Sequence, residues 1–181
     1  MKWVVISGTL RVTNAQVEKD VRAEVRDILA CGDGIITGGA PCVDYFALDE
    51  ALKHDPRAEH IKVIIPTSLK IFSACLFEIA KGGLTTEDQA RSNVDLLSRV
   101  QRSNKNALIE MSCNICTEET CRARDQAEVD AGDALVAFQV NGSAGTQDTI
   151  DRALSKGLTV KHLKYTIEPN VRPKTPQPKF K

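Results

Sequence analysis

Aromatic side chains are scarce in this chain, which has one Trp, two Tyr and five Phe. A surface that stacks successive bases is hard to build from so few, and Trp3, Phe46 and Phe72 fall at core-like positions. An excess of charge is missing too. The 24 Lys plus Arg balance 24 Asp plus Glu, so the broad basic footprint of nucleic-acid proteins is absent and only a local patch remains open. No apolar run approaches bilayer-spanning length, and Met1-Lys2-Trp3 leads into a strand rather than a signal peptide. A cytoplasmic protein with no membrane partner is expected. Neither the GxGxxG fingerprint nor a phosphate loop ending in GK[ST] occurs, and no internal repeat is apparent.

What the chain does have is an alternation of apolar strand-length runs with amphipathic helices. Its 181 residues suit one domain over residues 1–167, followed by a Pro-rich extended tail over 168–181. Strands are expected at residues 3–7, 34–37, 61–65 and 134–138, with a last one over 158–163. Asn14 reads as the N-cap of a helix carrying Val17, Val21 and Val25 on one face. Further helices are expected near residues 43–53, 68–80, 86–102, 118–132 and 146–156, while 106–111 reads equally as a short strand or a connector. The alternation predicts an α/β fold, a Rossmann-like parallel sheet of about five to seven strands with helices on both faces. A homodimer through flanking helices is the expected assembly.

Two strands feed Gly-rich turns that open helices. One is Asn141-Gly142-Ser143-Ala144-Gly145-Thr146, the other Gly38-Gly39-Ala40-Pro41-Cys42-Val43-Asp44. Unpaired N–H groups and the dipole at a helix N-terminus favour an anion, and glycine allows close approach to a phosphate. Alone, either turn serves equally as a well-capped connection. Asp44 reads evenly as a favourable first-turn carboxylate or as a group at a cleft mouth holding a ribose hydroxyl or an arginine.

Six cysteines include Cys113, Cys116 and Cys121 in a CxxCxxxxC arrangement. Zinc and iron–sulfur sites need a fourth ligand, which only Cys31, Cys42 or Cys75 could supply, so reduced, non-ligating thiols are the favoured reading and no cofactor is expected. His162, on the last strand and far from either turn, is given no catalytic role.

Together, Ser7-Gly8-Thr9, the turn from Gly38 to Asp44 and the turn from Gly142 to Thr146 resemble the three nucleotide-cleft motifs of the Rossmann-like SLOG superfamily. That group includes the DNA-processing DprA proteins and the lysine-decarboxylase-like (LOG) phosphoribohydrolases. The resemblance implies a nucleotide or nucleotide derivative held by Ser7, Gly8, Thr9, Arg11, Gly38, Gly39, Ala40, Asp44, Arg124, Asn141, Gly142, Ser143, Gly145 and Thr146. For the hydrolase branch it implies Arg124 as a cationic clamp, with a glutamate in the last helix acting on a nucleoside monophosphate. The glutamate position is Thr149 here, which leaves Asp148 or Asp44 as substitutes and puts hydrolysis in doubt. The DprA branch implies single-stranded DNA as the partner, along Arg11, Arg122, Arg124 and the tail.

Overall fold

The computed structural model describes residues 1–168, so the Pro-rich segment expected over 168–181 lies outside the described residues apart from Glu168. Twelve elements follow along them, strands alternating with helices except where two helices connect β3 to β4: β1 (Trp3–Gly8), α1 (Ala15–Ala30), β2 (Gly34–Thr37), α2 (Val43–His54), β3 (Ile61–Ile65), α3 (Leu69–Lys81), α4 (Glu87–Ser103), β4 (Leu108–Glu110), α5 (Glu118–Ala131), β5 (Ala134–Val140), α6 (Ala144–Ser155) and β6 (Thr159–Tyr165). Local chemistry sets most helix starts. Asn14 accepts from the Val17 N–H at 3.0 Å, and Thr86 and Thr117 each close a reciprocal capping box. The open reading of residues 106–111 resolves as strand, because β4 pairs with β3.

All six strands are parallel, in the order β4-β3-β2-β1-β5-β6. The chain runs outward from β1 to β4, then returns to the other side of β1 for β5 and β6. Side chains alternate between the two faces of the sheet, as the strand period requires. Val4, Ile6, Ile35, Val136 and Phe138 pack toward α1–α4, whereas Val5, Ile36, Leu135 and Ala137 pack toward Val129 of α5 and Ile150 and Ala153 of α6. Both faces are thus covered, which is why these strands read as unbroken apolar runs. Among the described residues no helix is long and apolar enough to cross a membrane.

β5 and β6 each end two residues later than expected, at Val140 and Tyr165, and the start of α6 differs as well. Helix α6 begins at Ala144, two residues earlier than residue 146. Asn141 and Gly142 both adopt positive φ, 50° and 64°, so two residues complete the turn and the chain enters the helix at once.

Candidate functional site

The reversal of strand order places a switch point between β1 and β5, where the connections leave for opposite faces of the sheet. Ligands on open parallel sheets bind in such a crevice at the carboxyl ends of the strands. Gly8 of β1 is in register with Phe138 of β5, so the turns after these two strands are neighbours on that edge. The β1 turn is braced from below. A Cβ on Gly8 would come within 2.5 Å of Val43, and the Cys42 thiol donates to the Leu10 carbonyl at 3.4 Å. Thr9 is buried and accepts from the Arg11 N–H at 3.3 Å, which leaves Arg11 exposed beside the crevice.

The β5 turn is open. Asn141, Gly142, Ala144 and Gly145 are exposed, and a Cβ on Gly142 or Gly145 would meet nothing within 4 Å. Ser143 occupies the N-cap position of α6 without a side-chain cap bond. The first helical bond runs from the Gln147 N–H to the Ser143 carbonyl, so the N–H groups of Ala144, Gly145 and Thr146 precede the ladder. Asn141 anchors the turn to the chain after β6, exchanging two 2.9 Å hydrogen bonds with the Ile167 backbone.

Gln139 holds the other side of this turn, and sequence reasoning missed it. Its amide donates to the Ser143 carbonyl at 3.1 Å and to Gln147 Oε1 at 3.2 Å, while Oε1 lies 2.9 Å from His162 Nε2. His162 is therefore linked to the β5 turn through one side chain rather than remote from it. The signal was present: Gln139 is the one polar residue in the buried run from Leu135 to Val140.

The β2 turn is different in kind, because the space its glycines leave is filled by protein. A Cβ on Gly38 would stand 1.3 Å from Arg124 Nη1, and one on Gly39, whose φ is +67°, would stand 2.9 Å from Leu97. Asn93 of α4 donates to the Gly39 carbonyl at 2.6 Å. Asp44 accepts from the Ala40 N–H at 3.1 Å, within its own turn. Arg124 is buried beneath Gly38, with Asp125 Oδ1 at 3.0 Å from Nε, Glu128 Oε1 at 3.5 Å and Asp44 Oδ2 at 3.9 Å from Nη1. None of these contacts has hydrogen-bond alignment, and Arg124 Nε, Arg124 Nη1, Glu128 Oε1 and Thr37 Oγ are buried without hydrogen-bond partners.

Three carboxyls thus surround one guanidinium. Burial opposes charge on Arg124, but Glu128, Asp125 and Asp44 outweigh it and hold the guanidinium firmly protonated. Burial pushes Asp44 up to about 6 against the attraction of Arg124, and pushes Glu128 well above the usual carboxylate range. Burial thus opposes full ionisation of the carboxyls around Arg124. Arg124 is a pillar under the β2 turn rather than an exposed clamp.

The other expected site residues scatter. Asp148 does not cap α6 but pairs with Arg152 at 2.9 Å, and Thr149 is buried with its hydroxyl donating to the Gly145 carbonyl at 3.2 Å. Arg122 is exposed and paired with Glu118 at 2.6 Å. Cys116 and Cys121 meet at 3.9 Å, but their third neighbour is Cys75 rather than Cys113. Among the described residues no group of three His, Cys, Asp or Glu is arranged to hold a metal ion.

No protein-family model matches the chain. No curated protein matches it either. Among solved structures it is similar to DNA processing protein A from Helicobacter pylori, at 16% identity and a TM-score of 0.64, over 94% of this chain and 67% of that one. It is similar also to DNA processing protein A (DprA) from Streptococcus pneumoniae, at 17% identity and a TM-score of 0.59, over 95% of this chain and 52% of that one. The chain spans about half the length of the Streptococcus pneumoniae protein. At these identities the likeness is one of fold, a parallel Rossmann-like sheet shared across almost all of this chain.

Proposed function

We propose that the chain binds single-stranded DNA across the switch-point crevice, through the turns after β1 and β5. The observation that carries this reading is the turn after β5, where the exposed Ala144 and Gly145 keep N–H groups outside the helix ladder and the glycines are open, at the switch point. A phosphodiester is the ligand such donors suit, and Arg11, exposed just past the neighbouring strand β1, is available to meet a second phosphate. The Helicobacter pylori neighbour is described as binding single-stranded DNA, and the resemblance of the three turns to SLOG motifs points to the same edge. With no net charge and few aromatics, the binding is expected to be modest and independent of sequence.

The positions of the carboxyls support binding rather than hydrolysis. Asp44 is bonded within its own turn, Asp148 faces Arg152, and Thr149 stands where the hydrolases carry glutamate. The test is fluorescence anisotropy with a labelled oligothymidylate across a salt series, beside thermal shift with nucleoside monophosphates. Saturable, salt-sensitive oligonucleotide binding supports the reading. Stabilisation by a monophosphate with no oligonucleotide binding transfers the same turn to a mononucleotide.

A further inference from the structure

Three thiols gather at the amino-terminal end of α5, apart from the crevice turns. Cys116 lies in the irregular segment between β4 and α5, and Cys121 stands one turn into the helix. Their sulfurs are 3.9 Å apart. Cys75, on α3, lies near enough to Cys116 for that thiol to bring its own down. All three are half-buried, within reach of a small solute. Either sulfur can be the donor in the Cys116–Cys121 contact, and the neighbouring Cys121 and Cys75 thiols push the Cys116 thiol up. The bond with Cys116 brings Cys121 down to about 7, and Arg124, on the next turn of α5, adds its positive charge. A partly ionised thiol beside a protonated one is the arrangement of a nucleophile with its resolving partner.

We propose that Cys121 and Cys116 form a redox-active dithiol that a peroxide converts to an intramolecular disulfide. The Cys121 thiolate attacks one oxygen of hydrogen peroxide. The O–O bond breaks, Cys121 becomes a sulfenic acid, and the departing hydroxide takes up the proton that thiol ionisation released. Cys116 sulfur then attacks the sulfenic sulfur, the S–O bond breaks, and the oxygen leaves as water with the Cys116 proton. Two thiols have lost two electrons and two protons, and the peroxide has become two waters. The sulfurs must close from 3.9 Å to a bond of about 2.05 Å, and Cys116, outside any helix or strand, has the backbone latitude to do so.

The experiment treats the full chain with one equivalent of hydrogen peroxide, then counts alkylatable thiols and measures intact mass. Loss of two hydrogens and two of the six thiols, restored by dithiothreitol, is expected. Cleavage after Glu118 or Glu119, which lie between the two cysteines, should leave fragments joined until reduction, in the wild type and in Cys113→Ser alike. In Cys116→Ser a sulfenic acid on Cys121 should accumulate and be captured by dimedone. Six free thiols after treatment, or a link through Cys75, Cys31 or Cys113, overturns the proposal. Fragment sequencing of the joined wild-type peptides assigns the bond to Cys116 or Cys113, so the matter is decided even if a serine variant fails to fold.

Discussion

Arg124 occupies the space that a side chain at Gly38 would need: a Cβ there would lie 1.3 Å from Nη1 and 2.6 Å from Glu128 Oε1. The first glycine of the β2 turn is thus explained by an arginine from α5 reaching under it. This contact joins the β2 turn to the opposite face of the sheet, and both partners should be intolerant of change. Gly38→Ala is expected to lower stability at the upper end of the roughly 1–3 kcal/mol typical of overpacking. Arg124→Ala strands three carboxyls, for a loss of about 3–5 kcal/mol. The double variant should lose less than the sum, because removing the arginine makes room for the methyl group. Urea unfolding of the four proteins measures this directly.

Asp44 gives the fold a definite pH dependence. Its folded carboxyl, at about 6, takes up a proton more readily than the unfolded one at 3.8. Between these values the native state binds more protons, so this group's contribution to stability falls as pH rises from about 4 to 6. The fall approaches roughly 3 kcal/mol for a shift of this size. Asp44→Asn should remove that portion while keeping an acceptor for the Ala40 N–H, so the variant gains on wild type across the window. A residual fall is expected from Glu128, which burial also pushes up. A wild-type-minus-variant difference that stays flat from pH 4 to 7 in urea midpoints would contradict the cluster's protonation.

Gly145→Asp separates binding from folding. The site is exposed with nothing within 4 Å of a Cβ, and a carboxylate in the first turn of α6 favours the helix dipole. Stability should hold or rise by about 0.3–1 kcal/mol, while oligonucleotide affinity falls at least tenfold through repulsion of phosphate. Thermal melts and anisotropy on one preparation give both signs.

Arg11→Ala should leave the melting temperature nearly unchanged, because Arg11 is exposed. If Arg11 meets one phosphate, the slope of log affinity against log salt should shrink by about 0.7 for a single strand. An unchanged slope would remove Arg11 from the interface.

Gln139→Leu tests the bracing of the β5 turn. The substitution removes one of the two bonds to the Ser143 carbonyl, leaving that from the Gln147 N–H, and leaves His162 Nε2 without its partner. A destabilisation of about 1–3 kcal/mol is expected, with weaker oligonucleotide binding, because the turn loses its inner support. Hydrogen exchange at Gln147, the first bonded amide of α6, should quicken in step.

Much of this protein could be read from local chemistry. Val17, Val21 and Val25 mark a helix face by their spacing, and all three are fully buried. The runs Val4–Ile6 and Leu135–Val140 mark strands buried on both faces, and the two Gly-rich turns fall directly after strands as expected. These signals are legible because a helix or strand repeats within a few residues, so its partners lie inside one window of sequence.

What the windows could not hold is the order of the strands and what crosses between elements. The return of the chain to β5 beside β1 decides that the turns at residues 7–11 and 141–146 share a crevice, and no local period encodes it. Gly38 and Gly39 looked like openings for a ligand, yet Arg124 and Leu97 fill them from α5 and α4. The CxxCxxxxC spacing suggested Cys113 as the third thiol, and packing supplies Cys75 from α3 instead. Sequence determined where most elements lie and which faces of them are buried, though not β4. Tertiary structure decided which side chains meet, because those contacts join residues far apart in the chain that only the sheet topology brings together.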